Sequence, residues 1–163
     1  WDFVDTCWGK EPREYQYVAA NYLKAMQSYL KDSDLPKLEQ LVVTKSWWDT
    51  VDILDRVVGS LVYDKPELEK IILQWSLSDN IWLRRVAIDH QLLRKEKNNA
   101  QLLEKILHHN LNQTEFFINK AIGWALRDYS KTNSTWVAGF IEKKKERMTE
   151  LSIKEASKYL QHH

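Results

Sequence analysis

Three short stretches of this chain put chemically able side chains at helical spacing. In Trp47-Trp48-Asp49-Thr50-Val51-Asp52, Trp48 and Asp52 stand four apart, so an indole and a carboxylate share one face of a helix, one turn from each other. The same hexapeptide also fits a simpler arrangement, with Trp48 in the core and Asp49 or Asp52 favouring the helix N-terminus through the dipole. In Trp82-Leu83-Arg84-Arg85 the two adjacent guanidinium groups cannot both face inward. One is expected at the surface, while Arg85 points into a groove as a phosphate contact or pairs with Asp89 on its own helix. In the run from Phe116 to Arg127, Lys120, Trp124 and Arg127 fall at steps of four and three, giving a stripe of two cations and an indole. Gly123 inside that run costs about 1 kcal/mol relative to Ala in a helix interior; close approach by a neighbouring helix or by a ligand backbone would explain it.

Other chemistries have little to build on. The single Cys, Cys7, rules out an internal disulfide framework and Cys-based zinc sites, and points to a reducing compartment. His90, His108, His109, His162 and His163 form no metal-ligand spacing with carboxylates, and the terminal pair reads as a tag remnant. There is no Gly-rich phosphate loop, and Lys143-Lys144-Lys145 reads as a solvated helix face. The net charge of +1 is unevenly spread: residues 1–80 carry 9 Lys/Arg against 14 Asp/Glu, and residues 81–131 carry 9 against 5. A basic face on the second half is therefore available.

The elements that must position these residues are helices. Helical periodicity predicts segments at about 12–23, 35–44, 47–60, 66–77, 80–95, 100–110, 115–129, 134–148 and 152–161, with no alternating strand between them. Ser46, Asn80, Thr114 and Ser152 stand where N-caps are expected, Ser152 with Glu155 as a capping box. Pro12, Pro36 and Pro66 fall near helix starts. Only 4 Gly and 3 Pro in 163 residues argue against a turn-rich β fold, and 44% apolar content suits one folding unit over residues 1–163. Ser46-Trp47-Trp48, Asn80-Ile81-Trp82 and Glu115-Phe116-Phe117 recur at steps of 34 and 35 residues, the period of a helical solenoid with one hairpin per unit. HEAT-like pairs fit better than tetratricopeptide repeats, whose Gly and Ala signature is missing. No apolar run is long enough to span a bilayer. The eight Trp exceed what a core of this size needs, so some are expected to line a groove.

Taken together, Thr44-Lys45-Ser46-Trp47-Trp48-Asp49-Thr50-Val51-Asp52, Trp82-Leu83-Arg84-Arg85-Val86-Ala87 and the run from Phe117 to Tyr129 closely resemble the HEAT-like-repeat DNA alkylation repair glycosylases, the AlkD-like family. The resemblance spans nearly the whole chain. It implies an all-α, right-handed superhelical solenoid of HEAT-like hairpins, and further N-terminal helices in the family lead one to expect that this chain lacks them. It also implies a metal-free, cofactor-free DNA N-glycosylase, a hydrolase that excises cationic N3- or N7-alkylated purines from duplex DNA as a monomer, in a bacterial cytoplasm at the nucleoid. By this resemblance Asp52, Trp48 and Trp124 are catalytic, while Arg85, Arg84, Lys120, Arg127, Lys45, Lys131 and Trp47 meet DNA. The chemistry is coherent, because a cationic purine is already a good leaving group and the protein has mainly to stabilise positive charge growing on the sugar. Asp52 would also orient or deprotonate the attacking water. Two other readings remain open at this point: a catalytically silent relative that grips branched or distorted DNA, and a HEAT-type scaffold for protein partners.

Overall fold

The computed structural model describes residues 1–160, and the expected tag remnant at His162 and His163 lies outside them. Ten helices follow in order: α1 (Asp2–Trp8), α2 (Arg13–Ala25), α3 (Leu35–Val42), α4 (Trp48–Val62), α5 (Pro66–Trp75), α6 (Ile81–Asp89), α7 (Ala100–His109), α8 (Phe116–Ser130), α9 (Ser134–Lys144) and α10 (Glu150–Ala156). No strand occurs among the described residues, and no helix there is long and apolar enough to cross a membrane. The all-α expectation holds.

Alternate helices form one layer: α2 packs on α4, α4 on α6, α6 on α8 and α8 on α10. The second layer is made by α3, α5, α7 and α9, which lean against that row and close the hairpins. The core runs unbroken between them, from Val4 to Ala156. In α4 alone Val51, Leu54, Val57, Val58, Leu61 and Val62 are buried, each contributing about 1.5–3 kcal/mol. The sequence period is visible in space, since Trp47, Trp82 and Phe117 touch one another, with ring centroids 5.8 Å apart for Trp47 and Trp82 and 4.9 Å for Trp82 and Phe117.

Several boundaries differ from the periodicity. Helix α1 was not foreseen. Asn80 caps α6 as expected, its Oδ1 accepting from the Trp82 and Leu83 amides, but α6 stops at Asp89 instead of running to 95. Leu93 and Lys95 adopt positive φ of 69° and 55°, and the Gln91 side chain accepts from the Asn99 amide to hold the turn. The last helix opens at Glu150, capped by Thr149, so Ser152 is not its N-cap. Ser152 is buried instead and donates to the Asn119 carbonyl at 2.9 Å.

Gly123 is explained by helix packing. A Cβ there would lie 2.5 Å from the Cβ of Glu155, so only glycine lets α10 come this close to α8. Gly123→Ala gains helix propensity of about 1 kcal/mol but overpacks the contact by about 1–3 kcal/mol. The variant is expected to melt about 3 °C below the wild type; an unchanged or higher Tm would mean that α10 yields without cost.

Candidate functional site

The three stretches singled out by spacing open α4, α6 and α8, neighbouring helices of one layer, and meet at one place. Its centre is Arg85. Only 2% exposed, this side chain donates from Nε to Asp52 Oδ1 at 2.8 Å and from Nη2 to Asp52 Oδ2 at 2.9 Å, a two-pronged pair. A third prong, Nη1, donates to the Phe117 carbonyl at 2.6 Å, tying α6 to both neighbours. The guanidinium also lies over the Trp124 ring, 5.0 Å from its centroid. Asp52, Arg85 and Trp124 therefore form one contact chain across three helices, and Asp52 keeps 21% of its side chain open to solvent.

The surroundings explain why Arg85 turns inward and does not stand free in the groove. Oxygens of Asp52, Asp55 and Asp89 lie within 4.8 Å of one another, and Asp55 and Asp89 are buried. Burial works against the charge of Arg85, but the Asp52 hydrogen bonds and the nearby Asp89, Asp52 and Asp55 carboxyl groups outweigh it and raise its pKa. The phosphate contact expected of Arg85 is thus replaced, in this conformation, by a grip on Asp52. The alternative pairing with Asp89 is also not made, since neither Asp89 oxygen has a hydrogen-bond partner.

The acidic trio is the one grouping among the described residues with metal-ligand geometry. Arg85, however, takes both oxygens of Asp52 and supplies the countercharge, which fits a proton-bearing cluster better than a cation site. Burial pushes the Asp89 carboxyl up to about 8, against the attraction of Arg85. Asp55 is likewise raised well above the usual carboxyl range, by burial first and then by Asp89.

This has a consequence for stability. Between pH 4 and pH 8 the folded protein keeps a proton on Asp89 that the unfolded chain, with its ordinary value near 3.8, has released. Stability therefore falls as pH rises through this window and levels off above it. Asp89→Asn removes the penalty, and its Tm is expected to overtake that of the wild type progressively between pH 5 and pH 8. A difference in Tm independent of pH would show that Asp89 is not protonated in the fold.

The remaining residues are placed as follows. Trp48 is the first residue of α4 and Trp47 its N-cap, and both are 48% exposed. Trp48 is therefore not in the core; Trp47 packs edge-on against Trp82 and Phe117. Asp49 belongs to a separate anchor. It accepts from Arg13 and from the Tyr17 hydroxyl of α2, and these bonds, with the Thr50 amide, lower its pKa despite burial.

The cations expected at phosphates are largely engaged within the chain. Arg84 donates to Asn110 at 2.7 Å, and Lys45 donates to the Trp8 and Lys10 carbonyls. Lys120 and Arg127 hold the two oxygens of Glu155 at 2.8 and 2.9 Å. Lys131 lies over the Tyr159 ring at 4.9 Å. Glu155, expected from the sequence only as a capping-box residue, was missed as the partner of these cations, yet its spacing of 35 residues from Lys120 is one repeat period. Asp55 and Asp89 were missed as cluster members, although both lie within four residues of a named site residue.

The family model for the DNA alkylation repair enzyme matches residues 1–160. The chain belongs to that family. Among solved structures it is similar to a protein from Enterococcus faecalis described as a predicted DNA alkylation repair enzyme. The two share 36% sequence identity with a TM-score of 0.91, over 99% of this chain and 76% of the other. No curated protein matches the chain. The family name implies DNA as the substrate.

Proposed function

We propose that the protein is a DNA N-glycosylase that hydrolyses the N-glycosidic bond of cationic N3- or N7-alkylated purines in duplex DNA. The observation that carries this reading is Asp52, partly open to solvent and oriented by two hydrogen bonds from buried Arg85, whose guanidinium in turn lies over the Trp124 ring. As the C–N bond lengthens, positive charge leaves the purine and grows on the deoxyribose. A fixed carboxylate and electron-rich indole faces stabilise that charge without reorganising. Trp48, exposed one turn before Asp52, supplies one such face and Trp124 the other. Asp52 then accepts a proton from the attacking water, while the electron pair of the broken bond neutralises the departing purine.

Family membership supports DNA as the substrate. A role as a DNA gripper alone would rest on the cations of the α3–α4 turn, α6 and α8, and most of these are occupied by partners within the chain. Incubation with a duplex carrying a single N7-methylguanine is expected to release the free base. Salt-sensitive duplex binding without release would favour the silent DNA-binding relative, and no duplex affinity would favour the protein scaffold.

A further inference from the structure

The carboxylate site is not the only built feature between α4 and α6. Along α4, Asp52, Arg56, Gly59 and Tyr63 succeed one another at steps of four, three and four, so one stripe runs from the carboxylate to the far end of the helix. There, about 6–16 Å from Asp52 along the axis, the turn after α6 closes a cavity of about 280 Å³ lined by Arg56, Tyr63, His90, Arg94 and Lys97. That volume is below the roughly 300–1,000 Å³ of pockets that enclose whole small molecules. It suits one compact group.

Its charge is conspicuous. Arg94 and Lys97 form no ion pair among the described residues, although Arg94 is partly buried and burial lowers its pKa. Arg94 is held in place by donating to the Gly59 carbonyl at 2.7 Å. Both cations stand over the Tyr63 ring, at 5.2 Å for Arg94 and 6.0 Å for Lys97. Arg56 adds a third positive charge, held by the Leu92 carbonyl at 2.8 Å and 3.4 Å from Asp55.

The fourth wall is His90, only 2% exposed. Its Nδ1 lies 2.7 Å from the Ala87 carbonyl, so the proton sits on Nδ1 and the bare Nε2 lone pair is left over. Nε2 is buried with no hydrogen-bond partner. Glu69 attracts Arg94 only from beyond ion-pair distance and Lys97 has no ion-pair partner among the described residues, so the surplus of positive charge in this cavity calls for a ligand that supplies negative charge.

We infer that this cavity is a phosphate-binding site in which Arg56, Arg94 and Lys97 hold the oxygens, with His90 as its inner wall. The phosphate belongs either to the DNA backbone, further along the stripe that leads from Asp52, or to a free or terminal phosphate group. Neither source depends on the glycosylase reading, because the site can be filled without any reaction at Asp52.

The test is titration of the protein with inorganic phosphate against chloride at equal ionic strength, followed by thermal shift and calorimetry. Phosphate is expected to raise the Tm and to bind about tenfold more weakly to Arg94→Gln and about threefold more weakly to Lys97→Gln. Lys97 is exposed, so its variant keeps the fold even if Arg94→Gln does not. Asp52→Asn is expected to bind phosphate as the wild type does. The salt dependence of binding to an undamaged duplex distinguishes the sources: a slope smaller by about one in Lys97→Gln assigns the site to a backbone phosphate. Phosphate binding with an unaltered slope assigns it to a free or terminal phosphate. No phosphate effect on the folded wild type, together with an unaltered slope in both variants, overturns the proposal.

Discussion

Asp52→Asn is expected to lower release of N7-methylguanine by about 10²–10³-fold, the range seen when one group that stabilises transition-state charge is removed. Duplex affinity is expected to stay equal or to improve. The substitution is nearly isosteric, and Asn Oδ1 can still accept from Arg85, which keeps its third hydrogen bond to the Phe117 carbonyl. The change therefore isolates charge from shape. Removing a carboxylate from a surface that faces a polyanion eases ground-state binding, while the growing charge on the sugar loses its partner. Rate and affinity should thus move in opposite directions, a pattern that misfolding does not produce. Unchanged single-turnover release would remove Asp52 from the chemistry and leave the Asp52–Arg85 pair as a strut between α4 and α6.

The residues of this site were legible in the sequence because their spacing is a helical property and the helices repeat. Trp48 with Asp52, and Lys120 with Trp124 and Arg127, needed only the helix period, and the step of 34 to 35 residues placed the three segments on adjacent helices. What spacing does not carry is the direction in which a long side chain turns. Arg84 and Arg85 are indistinguishable as sequence neighbours, yet one reaches buried Asn110 at the end of α7 and the other turns toward Asp52 on α4. That choice is made by the two Asp52 oxygens and the Phe117 carbonyl, which meet Arg85 only once α4, α6 and α8 are packed side by side. The end of α6 was hidden for a related reason: the apolar pattern continues through Leu92 and Leu93, while the Arg94 hydrogen bond to Gly59 and the Gln91 contacts at Asn99 stabilise a turn there. Glycine at 59 is part of that arrangement, because a Cβ would collide with the His90 carbonyl. Lys120 and Arg127 read as free cations until Glu155 arrives from the last helix.

Arg85→Met is expected to be the most destabilising single change at the site, by about 3–5 kcal/mol, because it leaves the Asp52 carboxylate without its ion-pair partner and the Phe117 carbonyl without its donor. Asp52 loses both of its hydrogen-bond donors from Arg85, and the pull that Arg85 exerts on Asp55 and Asp89 toward ionisation disappears. Those two carboxyl groups then hold their protons to still higher pH. The deficit in Tm, about 10 °C for a chain of this size, is expected to be smaller at pH 5, where Asp89 is protonated in both folded proteins, than at pH 8, where the wild type has begun to release that proton and the variant has not. Combining Arg85→Met with Asp89→Asn should recover part of the loss at pH 8 and little at pH 5, and the double-mutant cycle measures that coupling. Equal losses at the two pH values would show that Arg85 contributes packing and not charge. Arg85→Lys then divides the two roles of the guanidinium. A lysine keeps one positive charge near the trio but cannot donate in parallel to both Asp52 oxygens while also reaching the Phe117 carbonyl. It should recover much of the stability lost in Arg85→Met while base release stays low, because charge alone compensates the Asp52 carboxylate and the planar fork is what aims it.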